Sequence, residues 1–139
     1  MRILGRSRLG VMGTLIGLGL AALPALAGHG AGGLVPSYYA EHVKRLIDAG
    51  DPIVLVDVRP NAAYRIAHLP GARSIPLPEL ESRLGEIPRT GRVVLYGQSI
   101  IDASDAYAIL RDRGWRNVGV IEDGFAGWLR RGFPVELQR

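Results

Sequence analysis

Three short apolar runs constrain the architecture of this chain more than any other feature. Ile53–Val58 is interrupted only by Asp57, and Val93–Tyr96 and Val118–Ile121 carry no charge at all. Runs this short and this apolar are strands buried on both faces, which an antiparallel sheet with a wet side does not need. Between them lie stretches with helical spacing, so consecutive strands are joined by crossovers. A right-handed strand–helix–strand crossover makes neighbouring strands parallel. The expected fold class is three-layer α/β, with a mostly parallel sheet flanked by helices.

The intervening segments follow from local signals. Tyr39, Val43, Leu46 and Ile47 recur at helical spacing, predicting a helix over Tyr38–Ala49 with Ser37 as N-cap and Gly50 as its stop. Asn61–Ala67 reads as a short helix and Ala72–Ile75 as a short strand. Pro78 suits the first turn of a helix through Leu84. A helix over Ala103–Arg113 is ended by Gly114, and a last one, Gly124–Arg131, carries Trp128. In open parallel sheets ligands bind where a strand's carboxyl end turns into the next helix. That points to Gly97-Gln98-Ser99-Ile100-Ile101-Asp102, a loop whose backbone N–H groups can curl around an anion at the positive end of a helix dipole.

The first 27 residues stand apart. Met1–Arg8 is basic, Leu9–Ala27 has no charge, and Ala25-Leu26-Ala27 closes the run with the small-x-small pattern of a signal peptidase site. Residues 1–27 therefore read as a secretory signal peptide, with export to the periplasm. The rival is an uncleaved inner-membrane anchor facing the same compartment, since a span of ~30 Å needs ~20 residues; four glycines and Pro24 in the run favour cleavage. Residues 28–34 are a flexible Gly-rich spacer, in which His29 is a solvated side chain rather than a metal ligand. The domain proper is 35–139.

The chain holds 17 Lys and Arg against 13 Asp and Glu, but Arg2, Arg6 and Arg8 belong to the leader, which leaves fourteen against thirteen, or +1. The body offers nucleic acid no basic surface, and Tyr38, Tyr39 and Tyr64 show no stacking pattern with basic neighbours. The absence of cysteine rules out disulfides, thiolate metal sites and a catalytic thiol. Glu79, Glu81 and Glu86 lack a histidine among them and read as a solvated helix face. No cofactor and no metal are expected.

Six pieces of sequence, in order, resemble the rhodanese domain. They are Leu55-Val56-Asp57-Val58-Arg59, Ala67-His68-Leu69-Pro70-Gly71-Ala72, Val93-Val94-Leu95-Tyr96, Gly114-Trp115-Arg116-Asn117-Val118, Gly124-Phe125-Ala126-Gly127-Trp128 and Gly132-Phe133-Pro134-Val135. The series runs from about Val35 to Glu136, and its order and gaps are far more specific than any single piece. The resemblance implies a five-stranded sheet and a sulfurtransferase ancestry. In such proteins a cysteine after the central strand takes sulfur from a donor such as thiosulfate, holds it as a persulfide and passes it on. Relatives of that fold also act as phosphatases or arsenate reductases, or serve as binding modules without the thiol. The resemblance further implies that Asp57 and Arg59 lie near the site and that His68 is structural.

The chain departs from that family at the chemistry. The usual loop reads roughly Cys-x-x-Gly-x-Arg, whereas Gly97 stands here at the thiol's position and Asp102 at the basic one. A persulfide cannot form without sulfur. Asp102-Ala103-Ser104-Asp105 reads as an N-cap with an acidic third residue, which supports a helix start by ~1 kcal/mol. The same carboxylate opposes a thiosulfate beside it by up to about 4 kcal/mol. Gly97-Gln98-Ser99-Ile100-Ile101 also approaches the Gly-x-Ser-x-Gly elbow of hydrolases, but Ile101 fails the second glycine, and Ser99 would need His68 as its base. Asp57, buried in a strand, must be hydrogen-bonded or paired; a structural pairing that pins the strand end to a loop is expected over a catalytic role, and Arg59 could line the pocket. Phe125 and Trp128 are expected to pack the last helix on the sheet, with Arg73 at the surface.

The resulting expectation is an exported rhodanese-like domain inactive in sulfur transfer, acting as a binding or regulatory module. A protein partner or small ligand would sit at the 97–102 loop, with Asp57, Arg59, Gln98 and Ser99 as its binding residues. The alternatives are a sulfurtransferase working with a partner's thiol, and a hydrolase using Ser99.

Overall fold

The computed structural model describes residues 35–138. The leader, the Gly-rich spacer with His29 and the boundary at residue 34 lie outside the described residues. So does the question of a membrane anchor; among the described residues no helix is long and apolar enough to cross a membrane.

Five strands form one sheet. They are β1 (Ser37–Tyr38), β2 (Ile53–Asp57), β3 (Arg73–Ser74), β4 (Arg92–Tyr96) and β5 (Val118–Ile121), in spatial order β1-β5-β4-β2-β3. Every pairing is parallel. The three apolar runs are thus the three central strands, with β4 buried across Val93–Tyr96 and β5 buried throughout. Helix α1 (Ala40–Asp48) and helix α4 (Gly124–Arg130) cover one face, packing Val43, Phe125 and Trp128 against Leu55, Val94 and Tyr96. A 3₁₀ segment, Leu77–Glu86, and helix α3 (Ile100–Asp112) cover the other, where Leu80, Ala106 and Leu110 meet Val56, Val93 and Val120. The short helix α2 (Asn61–Ile66) buries no residue. These are the three layers expected.

Two helix starts differ from the reading of the sequence. Ser37 does not cap α1: Ser37 and Tyr38 are strand β1, in register with Val120 and Ile121, and the helix begins at Ala40 behind Tyr39. The sheet's exposed edge wins over the capping signal, because Pro36 and Tyr38 carbonyls accept Val120 and Glu122 N–H groups that would otherwise lack partners. Asp102 does not cap α3 either. The cap is Ser99, whose Oγ accepts the Ile101 N–H at 3.3 Å, and Asp102 lies inside the first turn. Serine at residue 99 can turn the backbone directly out of β4, which starts the helix three residues earlier.

The last aromatic positions behave as expected. Trp128 is fully buried and donates from Nε1 to the Pro134 carbonyl at 2.8 Å. Arg131 ties α4 to α1 through Glu41 and pairs with Asp123 at the start of α4, and that guanidinium holds the Glu41 carboxyl below its ordinary range.

Gly119, in the middle of β5, has a packing reason to lack a side chain. A Cβ there would lie 2.5 Å from the Tyr38 ring and 2.9 Å from the Pro36 carbonyl oxygen. Gly119→Ala should therefore lower unfolding stability by about 1–3 kcal/mol through overpacking of the β1 edge, read from the urea midpoint.

Candidate functional site

Asp57 ends β2 with no solvent exposure, and Arg59 two residues on is almost as deeply buried. An isolated carboxylate there would be costly. It is instead held by four hydrogen bonds from one residue: Arg59 N–H and Nε reach Oδ1 at 3.0 Å, Nε reaches Oδ2 at 3.1 Å, and Nη2 reaches Oδ2 at 2.6 Å. Nη2 also donates to the Ala67 carbonyl at 2.7 Å, which pins the end of α2. The guanidinium carbon stands 3.7 Å from the Phe125 ring centroid. Phe125 therefore does more than pack α4; its face supports a buried cation. Pinning of the strand end by a structural pair is what the sequence led one to expect.

The loop after β4 is short because α3 begins so early. Gly97 is buried, Gln98 and Ser99 are exposed, and Asp102 is half-buried. Asp102 turns its carboxylate back over the loop, where Oδ2 accepts the Gln98 N–H at 3.3 Å. Two N–H groups at the mouth of the turn, those of Gln98 and Ile101, are thus taken by the chain's own side chains. The loop carbonyls face the opposite way: Gly97 O accepts from Phe125 N–H at 2.9 Å and Gln98 O from Ala126 N–H at 3.4 Å. This approach requires Gly124, at φ +57, since a Cβ there would lie 2.8 Å from the Gln98 oxygen. Gly97 is equally confined. A Cβ on it would stand 2.5 Å from Asp102 Cβ and 2.9 Å from Asp102 Oδ2.

Beside the loop lies an open pocket of about 590 Å³. Its lining joins the polar Gln98, Asp102, Arg59 and Asn61 to the apolar Val58, Leu77 and Pro78. Of the residues expected to bind, Arg59 and Gln98 line this pocket; Asp57 lies behind Arg59, and Ser99 is engaged as the helix cap. The apolar lining was not singled out from sequence, although the Pro76-Leu77-Pro78 turn was a visible signal of a fixed backbone. His68 is not brought to Ser99. Its ring stacks on Tyr64 with centroids 3.8 Å apart, Nδ1 lies 2.9 Å from the Tyr64 carbonyl, and Nε2 is 3.4 Å from Glu136. No base of the hydrolase reading stands at the elbow. Glu79 and Glu86 pair with Arg83, and Glu81 with Arg113. Arg73 is exposed, as expected, and donates to the Glu86 carbonyl.

The family model described as "Rhodanese-like domain" matches residues 39–131. This chain belongs to the rhodanese-like domain family. The rhodanese-like domain is 42% identical over 91 residues to the HTH-type transcriptional regulator Rv0324 of Mycobacterium tuberculosis, covering 64% of this chain and 39% of that protein. It is 33% identical over 92 residues to a sulfurtransferase of Allochromatium vinosum, covering 66% of this chain and 85% of that one. Among solved structures, a thiosulfate sulfurtransferase from Pseudomonas aeruginosa superposes with TM-score 0.69 at 28% identity, over 76% of this chain and 21% of that chain. The Alr3790 protein from Anabaena sp. superposes with TM-score 0.67 at 27% identity, over 72% of this chain and 80% of that one. The five-stranded parallel sheet is the rhodanese-like fold.

Two outcomes follow from the buried core of the site. Arg59→Met should cost about 3–5 kcal/mol in urea unfolding, because it leaves Asp57 buried without its partner. Burial first, then the nearby Asp57 carboxylate, pushes the Tyr96 hydroxyl well above its ordinary value of 10.0. Its stabilisation is complete well below pH 10 and declines as pH rises through that value, where the unfolded chain loses a proton that the folded one keeps. Between roughly pH 9 and 11, stability of the natural chain should fall more steeply than that of Tyr96→Phe.

Proposed function

We propose that this rhodanese-like domain is an exported binding or regulatory module that does not transfer sulfur. The observation that carries the reading is the Asp102 carboxylate closing over the Gln98 N–H, in a loop where Gly97 stands at the position the family resemblance gives to the thiol. Persulfide formation needs a sulfur nucleophile, and the chain has no cysteine. An anionic donor needs free inward N–H groups and a positive rim. The turn offers it a carboxylate instead, with the Gln98 and Ile101 N–H groups already engaged. Likeness to the Allochromatium sulfurtransferase speaks for descent from sulfur chemistry, and likeness to part of the mycobacterial transcriptional regulator supports the regulatory reading. The leader supports secretion of the domain.

Thiosulfate:cyanide sulfurtransfer by the purified protein tests this reading. The expected rate is that of a heat-denatured control, and turnover clearly above it, in the absence of any other protein, overturns the reading. Gly97→Cys provides a second arm. The new Cβ must displace Asp102, and the thiol then faces a carboxylate that favours its neutral form. It should titrate at or above the ordinary ~8.5, whereas Gly97→Cys with Asp102→Gly should titrate lower, at the uncovered helix N-terminus.

A further inference from the structure

The pocket beside the loop carries a field opposite to the one an anionic donor needs. Arg59 is the only basic residue in its lining, and its charge is matched by the bidentate contact with Asp57. Two carboxylates stand at the rim, Asp102 and Glu79. Glu79 shares Arg83 with Glu86, and Arg73 donates to the Glu86 carbonyl. Asp102 accepts only a backbone N–H, from Gln98, among the bonds of the described residues. Much of the remaining lining is apolar, with Leu77, Pro78 and Pro60 among it. Next to Asp102 in the first turn of α3, Ile100 and Ile101 are exposed, to 37% and 68%.

From this arrangement we infer that the pocket receives a lysine or arginine side chain from an extended segment of a partner protein. Such a side chain has the required two-part character: an alkyl stem that lies on apolar surface and a cationic head that seeks carboxylates. The stem lies along Leu77 and Pro78, and the head reaches the carboxylates of the lining, Asp102 and Glu79. Apolar residues flanking it in the partner cover Ile100 and Ile101. A free amine would satisfy the carboxylates but leave both isoleucines in water, so the exposed pair selects a peptide over a small cation. Charge complementarity of this kind sets which partner is admitted and how fast it docks. The inference rests on the reading of the loop as a binding element, and it adds the chemistry of what is bound.

Titration of the full ¹⁵N-labelled chain, followed by amide chemical shifts, tests it. The probes are acetyl-Leu-Lys-Leu-amide, the same peptide with norleucine for lysine, n-pentylammonium, and thiosulfate. The lysine peptide should shift the amides of Leu77, Gln98, Ile101 and Asp102, and should bind about tenfold more tightly than the norleucine peptide, the order of effect of one charge-assisted contact. Asp102→Asn keeps an acceptor for the Gln98 N–H, so the loop survives; it should weaken the lysine peptide several-fold, as should Glu79→Gln. Ile101→Ser should weaken the peptide and leave pentylammonium unchanged. Equal affinity for the norleucine peptide, tighter binding of thiosulfate, parity between pentylammonium and the lysine peptide, or indifference to both carboxylate variants would each overturn the inference. Failure here with no sulfur transfer removes the basic-segment assignment alone, whereas turnover removes the reading beneath it.

Discussion

A carboxylate at the sealed end of a central strand must find a cation, and most of the site's geometry follows from how Asp57 does so. Its partner comes from two residues along the same chain, so Arg59 folds back on Asp57 and cannot extend into solvent. The same guanidinium holds the Ala67 carbonyl and lies over Phe125, joining the strand end, the end of α2 and the start of α4. The far wall of the pocket is therefore set by core packing. Because Arg59 is charge-balanced by Asp57, the rim carboxylates decide which sign of ligand the pocket favours.

The loop opposite is fixed from both sides. Its carbonyls are bound by the first N–H groups of α4, and its N–H groups at Gln98 and Ile101 are bound by Asp102 and Ser99. Two of the N–H groups that an anion at this turn could use are thereby already engaged.

Much of this was readable in the sequence, for identifiable reasons. The central strands announce themselves because burial on both faces leaves no polar positions, and Asp57 stands out against that background as a charge requiring a partner. Trp128 and Phe125 fall at spacings only a packed helix explains. Strand β1 was hidden, because Ser37-Tyr38 carries a capping signal as strong as its strand signal, and only the unpaired edge of β5 decides between them. The start of α3 was misplaced because Ser99 and Asp102 are both good caps. Sequence cannot say which of them faces the first-turn N–H groups. The apolar part of the pocket is not legible because Val58 and the Leu77-Pro78 pair come from two distant segments that the fold alone brings together.

The crowding between positions 97 and 102 has a mechanical consequence. A Cβ added at 97 would stand 2.5 Å from Asp102 Cβ, an atom that no rotamer change moves. Side chains can therefore occupy both positions only if the turn itself opens, so the size of residue 97 and the width of the loop are a single variable.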